Sequence, residues 1–287
     1  MSDSSLLITD ARVDLPASPL LPGVSPVRIR YRDIGNGPPI VVLHGGWGYE
    51  VYPFNQHIAA LATTHRFVIP DRTGYGQSEA LDVLPTDFHQ RGAEETLALL
   101  DALEIERAAL WGHSDGAVIA LRLGLTAPDR MTAIIVEAAH FLRKKPGSRS
   151  FFETMRGATE QFGERVVDAF RRDHGGRWRT VIAANGAVWL RIGDEATSDG
   201  ADLYDGRLPE LQAPVLLVHG ERDPRTEPGE FQMLSAALNR RGELLQSRST
   251  VLLLPDGGHS PHSERATAAA VTTAAREFLD RVATKAD

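Results

Sequence analysis

Gly112-His113-Ser114-Asp115-Gly116 is the tightest constraint this chain places on its own fold. The apolar run Arg107-Ala-Ala-Leu-Trp111 leads into it, and the helix-like stretch Ala117-Val-Ile-Ala-Leu-Arg-Leu-Gly124 follows. A serine between two glycines in that setting is the G-x-S-x-G pattern of a sharp strand–turn–helix connection. In so tight a turn the serine takes a strained conformation, and side chains at the flanking positions would collide. Glycine removes the collision. The hydroxyl is then held beyond the tip of a strand, pointing away from the sheet. The pattern alone recurs by chance in a chain with 26 glycines, so the flanking strand and helix patterns carry the reading.

A serine hydroxyl is a weak nucleophile at neutral pH and needs an adjacent base, itself oriented by a third group. The chain supplies both downstream, in the order Ser, Asp, His. Pro214-Val-Leu-Leu-Val-His-Gly220 reads as a buried strand, and Asp223 follows its end, at the edge of an open sheet where ligands gather. Thr250-Val-Leu-Leu-Leu-Pro255 reads as another strand, followed by Asp256-Gly-Gly-His259. Either residue alone has an ordinary explanation, Asp223 as a helix cap and His259 as a solvated loop histidine. Ser114, Asp223 and His259, each just past a strand and in that order, point to one nucleophilic site. His262, three residues on, is the competing base, and the Gly-Gly-His context favours His259.

Upstream, the buried strand Pro39-Ile-Val-Val-Leu43 runs into His44-Gly45-Gly46-Trp47-Gly48. Acyl transfer generates an oxyanion that fixed donors must meet at about 2.7–3.1 Å, and a glycine-rich loop lets backbone N–H groups approach that closely. Gly46 is the expected first donor, with Trp47 its competitor, and the N–H of Asp115 is the expected second.

These segments, together with Asp71-Arg-Thr-Gly-Tyr-Gly-Gln-Ser78 and His219-Gly-Glu-Arg-Asp223, resemble the α/β-hydrolase fold superfamily over essentially the whole chain. The resemblance implies a mostly parallel eight-stranded sheet flanked by helices, with an inserted helical cap. It implies a structural role for the 71–78 loop. Haloalkane dehalogenases and epoxide hydrolases of that superfamily carry aspartate at the nucleophile position, so Ser114 argues against both.

Val27-Arg-Ile-Arg-Tyr-Arg32 alternates apolar and basic residues and reads as a half-buried antiparallel edge strand. After it strand and helix patterns alternate: strand 39–43, helix 54–63, strand 66–70, helix 87–103, strand 107–112, helix 115–126, strand 131–137, then strands near 214–219 and 250–254, each followed by a helix. Such alternation implies parallel strands joined by crossovers. Residues 1–26, rich in proline and serine, read as loop with short extended pieces. From about 141 to 211 the alternation fails and the pattern is helical. The expected division is a core of 1–140 and 212–287 with a cap of 141–211 over the site.

Composition sets the remaining limits. The 287 residues are 42% hydrophobic, carry a net charge of −7 and include no cysteine. Thiol catalysis, disulfides and zinc–thiolate sites are excluded. Interspersed charge of that sign argues against nucleic-acid binding. No stretch approaches the roughly 20 apolar residues of a membrane span, and the first residues lack a signal-peptide pattern. The expectation is a cytoplasmic enzyme acting on a small molecule, needing no metal and no cofactor, with monomer and homodimer both open.

Trp47, Asp115, His140, Trp178 and Trp189 are the expected substrate contacts. His44 reads as a loop-packing residue, His219 as buried at a strand end, and His113 as pointing away from the substrate side. Asp115 has two readings. It caps the helix starting near Gly116, or it binds a substrate cation, since the G-x-S-D-G turn resembles the biphenyl-hydrolase-like group, which includes enzymes acting on amino-acid esters. The favoured function is hydrolysis of a small carboxylic ester through an acyl-enzyme. Alternatives are an aminoacyl-ester hydrolase or peptidase, a lactonase or C–C bond hydrolase, an acyltransferase, and a slow or non-catalytic ligand-binding receptor.

Overall fold

A computed structural model describes residues 8–240 and 249–284; residues 1–7, 241–248 and 285–287, which include both ends of the expected core, lie outside the described residues. Eight strands form one sheet: β1 (Ile8–Leu15), β2 (Val27–Gly35), β3 (Pro39–Leu43), β4 (Arg66–Pro70), β5 (Ala108–His113), β6 (Met131–Glu137), β7 (Val215–Gly220) and β8 (Thr250–Leu254). Their spatial order is β1-β2-β4-β3-β5-β6-β7-β8. The β1–β2 and β2–β4 pairs are antiparallel and the rest are parallel.

The apolar runs form central strands because both of their faces are covered. Alternate side chains serve opposite layers. Val41, Leu43, Leu110, Ile134 and Val136 join one core, under helices α2 (Phe88–Ala102) and α3 (Asp115–Thr126). Ile40, Val42, Ala109, Trp111 and Ile135 join the other, under α1 (Asn55–Leu61) and the C-terminal helix, α8 (Ala268–Ala283). The chain leaves β3 for β4 on one side and crosses back to β5 on the other. The carboxyl ends of β3 and β5 therefore flank a topological switch point, where open α/β sheets bind ligands.

The N-terminal expectation needs correction. Residues 8–15, read as loop with short extended pieces, are a full strand whose eight residues all pair with β2. The strand from Val27, expected at the sheet edge, is antiparallel as expected but lies between β1 and β4, because β1 takes the edge. Ala11-Arg-Val-Asp-Leu15 does alternate apolar and charged residues, but the proline and serine that follow masked it. Cross-strand pairs Asp14–Arg28 (3.0 Å) and Asp10–Arg30 (2.6 Å) reinforce this edge.

Between β6 and β7 lies a helical insertion with α4 (Arg149–Gly157), α5 (Glu164–His174) and α6 (Trp178–Glu195). Its entry is pinned by Glu230, the first residue of α7 (Glu230–Asn239). The Glu230 carboxylate accepts the N–H groups of Phe141 (2.7 Å), Leu142 (2.9 Å) and Glu227 (2.9 Å) and pairs with the Lys145 ammonium. Both side chains are buried, so breaking the pair is expensive, and unequally so. Lys145→Met leaves a carboxylate still held by three backbone donors and should cost at most about 2 kcal/mol. Glu230→Leu strands a buried ammonium and three N–H groups and should cost about 3–5 kcal/mol. Denaturant unfolding of both variants checks the order, and a larger loss for Lys145→Met contradicts it.

Candidate active site

The turn after β5 has the strained geometry its sequence demands. Ser114 has φ 54° and ψ −119°, in the region that side-chain-bearing residues avoid. A Cβ on Gly112 would lie 2.3 Å from the Gly116 carbonyl oxygen, and one on Gly116 would lie 1.9 Å from that of Leu43. Neither backbone contact can yield, so both positions must be glycine. Ser114 N–H donates to the Glu137 carbonyl (2.9 Å), which fastens the turn to β6.

The loops after β7 and β8 bring Asp223 and His259 to this serine. His259 Nε2 is 3.1 Å from Ser114 Oγ, and Nδ1 is 2.9 Å from each Asp223 carboxylate oxygen. Nδ1–H donating to the carboxylate leaves Nε2 to accept the serine proton. All three side chains are buried. Burial alone would raise the Asp223 carboxyl, but the His259 imidazole and the Arg225 N–H hold it well below the ordinary carboxylate range. Burial lowers His259, against the pull of Asp223 and with a push from Arg225. A neutral base and an ionised partner result at neutral pH.

Gly46 lies in the β3 loop that borders the same cavity as Ser114, and Asp115 is the first residue of α3. As the first helical residue, Asp115 has an N–H without an intrahelical acceptor. Among the described residues neither N–H donates to a protein acceptor. Arg72, from the 71–78 loop, donates to the carbonyls of His44 and Gly45 at 3.1 Å each and so sets the path of the glycine loop. A Cβ on Gly46 would lie 2.4 Å from Asn185 Oδ1, because α6 packs directly on it.

Residues 40–272 match the model of the alpha/beta hydrolase family. This chain belongs to that family. It is 32% identical over 155 residues to an epoxide hydrolase of Caballeronia sordidicola, a match covering 53% of this chain but only 46% of that protein. It is 26% identical over 248 residues to serine hydrolase BPHL of Mus musculus, covering 83% and 79%. Among solved structures, a thermophilic esterase from Thermogutta terrifontis superposes with a TM-score of 0.70 at 19% identity, covering 96% of this chain and 99% of that one. The 2-hydroxy-6-oxo-6-phenylhexa-2,4-dienoate hydrolase of Rhodococcus sp. strain RHA1 gives 0.70 at 18%, covering 96% and 100%.

In this alpha/beta hydrolase the cavity at Ser114 has an empty volume of about 350 Å³ and is walled by aromatic side chains that include Trp47, Phe151 and Trp189. The stacked Phe152–Trp189 pair, 5.3 Å between ring centres, also borders a larger cavity of about 1170 Å³ beside it.

Of the expected substrate contacts, Trp47, Asp115, His140 and Trp189 line the small cavity. Trp178 does not: it is buried against Phe170 inside the insertion, with Arg179 over its outer face at 4.2 Å. The His113 ring is tied to the loop after β8 and packs against His262. It borders the cavity, and its Nε2 lies 3.0 Å from the His259 carbonyl oxygen and from Ser260 Oγ. His219 is buried in β7, as expected. His262 is held by Glu137 (3.1 Å) and stacks on Phe54, so it is not the base.

Asp115 is not a helix cap. Ser114 occupies that position, and no side-chain cap bond forms. The buried Asp115 carboxylate instead accepts from His89 Nε2 (3.2 Å), Trp189 Nε1 (2.9 Å) and Asn185 Nδ2 (2.7 Å). Burial would raise this carboxyl, and these donors with the nearby His89 and Arg72 charges reverse the shift. His89 and Asn185 are the partners that sequence reading missed. Asn185 did leave a signal, as a lone amide in the apolar run Val181–Leu190 of α6.

His140 Nε2 lies 3.4 Å from Ser114 Oγ, on the edge of the hydrogen-bonding range. Burial pushes His140, His44 and His113 well below the ordinary histidine value of 6.5. Below pH 6.5 the unfolded chain takes up protons at these positions and the folded chain does not. Their contribution is therefore complete above about pH 6.5 and is lost as pH falls. Each can add a slope of up to about 1.4 kcal/mol per pH unit. Denaturant titrations at pH 8, 6.5 and 5.5 should show a small first step and a large second one. Stability that is flat or rising from 6.5 to 5.5 contradicts this.

Proposed function

We propose that this alpha/beta hydrolase is a serine hydrolase of small carboxylic esters that works through an acyl-enzyme. The observation that carries the reading is the Ser114–His259–Asp223 chain of short contacts on a strained turn. Ser114 Oγ attacks the carbonyl carbon while His259 Nε2 takes its proton. The Gly46 and Asp115 N–H groups hold the oxyanion. His259 then protonates the departing alkoxide, and water, deprotonated by the same imidazole, releases the acid. Asp223 keeps the proton of His259 on Nδ1 and stabilises the imidazolium. This relay calls on neither metal nor cofactor. Residues 141–211 act as a cap that walls the cavity with aromatic side chains.

A complete relay supports turnover over a receptor role. The three donors on Asp115 weigh against its reading of a substrate amine, because its carboxylate already holds α6 to the serine turn. The serine at position 114 weighs against carrying over the epoxide chemistry named for one relative.

Ser114→Ala should lower kcat/KM for p-nitrophenyl butyrate by at least about a thousandfold, with the melting temperature within a few degrees of the parent. Retention of more than a few per cent of the activity refutes the reading. The free-enzyme kcat/KM needs neutral His259, whose proton affinity lies below the ordinary histidine value. The rate should therefore be level from pH 8 down to about 6.5 and fall only below it. An acid limb centred above 6.5 contradicts the assignment of His259 as a buried neutral base.

A further inference from the structure

The cavity wall holds two charged side chains of opposite sign, and their bonding states differ. The Asp115 carboxylate has three donors. Arg225 has none of the usual partners: among the described residues its guanidinium forms no ion pair and no hydrogen bond, and its Nε is buried. It lies instead on aromatic faces, 4.1 Å from the ring centre of Phe151 and 5.1 Å from that of Trp47. Stacking of this kind occupies the flat face of a guanidinium and leaves its edge, with the N–H donors, open. The Trp47 indole Nε1 is a second buried donor without an acceptor, on a residue bordering the same cavity.

Neither group can accept a hydrogen bond. Two donor-only groups in contact, the buried Nε of a half-buried guanidinium and a buried indole N–H, have no protein acceptor among the described residues, on residues that border the cavity holding Ser114. Buried polar groups in native proteins are generally paired, and an acceptor on a ligand is one partner that would satisfy both N–H groups at once. Its shape is set by the guanidinium edge, which matches a carboxylate in bidentate fashion.

We propose that the substrate of this site carries a carboxylate besides the bond that is cleaved, and that Arg225, with the Trp47 N–H, is the specificity-determining anchor for it. This rests on the ester-hydrolase reading of Ser114 for its kinetic consequences but not for binding. Phe151 and Trp47 position the guanidinium, and the donors on Asp115 keep that carboxylate from occupying it. The remote charge then orients the substrate in the cavity.

Two measurements on the full chain test this. The first is binding: free adipate, added to wild type at millimolar concentration, should raise the melting temperature, while its neutral dimethyl ester should not. The second is kinetic, at pH 8, where His259 is neutral with or without the Arg225 charge. Mono-p-nitrophenyl adipate is compared with its methyl ester, and 4-carboxyphenyl butyrate with its methyl ester, each corrected for its enzyme-free rate. Wild type should prefer the charged member of at least one pair by about tenfold or more. Arg225→Gln should abolish both the preference and the adipate shift, and Trp47→Phe should reduce the preference two- to fivefold. The ratio within a pair does not depend on the fraction of folded enzyme, so a partly misfolded variant still reports. Ester turnover with no charge preference and no adipate shift overturns the anchor and leaves the hydrolase reading standing. An adipate shift that needs Arg225, with no ester turned over, keeps the anchor and overturns the hydrolase reading. A preference that survives Arg225→Gln also overturns the anchor.

Discussion

Everything at this site hangs on one backbone residue held at φ 54°. The conformation turns the chain from β5 into α3 within a single residue and lifts Ser114 Oγ clear of the sheet. It also leaves the Asp115 N–H at the start of α3 without an acceptor. Such a conformation costs on the order of 1–3 kcal/mol and persists only where its surroundings leave no alternative. Here they leave none. Gly116 is pressed against the end of β3, Gly112 against Gly116, and the Ser114 N–H is tied to β6. The strands that close on the turn also deliver the glycine loop, so Ser114 and the Gly46 loop are placed by the same packing.

Charge in the cavity follows a division of labour between two loops and one helix. Asp115 spends its carboxylate on α6, through Asn185 and Trp189, and on α2, through His89. The insertion is thereby fastened to the nucleophile turn itself. At the other end, Glu230 fastens its entry segment to the loop region that carries Asp223. With Asp115 committed, the Arg225 guanidinium is the proposed point of contact for a ligand, and its positive charge helps to keep His259 deprotonated. The proposed anchor and the proposed base are thus electrostatically linked through the Arg225 charge.

The central strands, the serine turn and the positions of Ser114, Asp223 and His259 past strand ends were legible because each rests on a local rule. Both-faced burial makes apolar strands, two glycines flank a sharp turn, and chemistry-bearing residues fall just past strand ends. The residues that were not legible act across the chain. His89 and Asn185 meet Asp115 from 26 and 70 positions away, and neither has a spacing that announces it. Neither sequence reading of Asp115, as a helix cap or as a contact for a substrate cation, foresaw the three donors that its carboxylate accepts. Trp178 read as a lining residue because an aromatic at a helix start can face either way, and the packing of Phe170 decided it. Arg225 gave no signal, since an unpaired guanidinium is visible only once its surroundings are assembled. The first strand was lost to the prolines and serines that follow it.

The central claim is that Ser114 is a nucleophile made reactive by His259. Incubation of the wild type with a fluorophosphonate, followed by peptide mass mapping, tests it most directly, beside His259→Ala under the same conditions. The account predicts one phosphonyl adduct, on Ser114, forming at least a hundredfold more slowly in the variant. A wild-type protein left unlabelled, or labelled elsewhere, or a variant labelled at the parental rate, would contradict it.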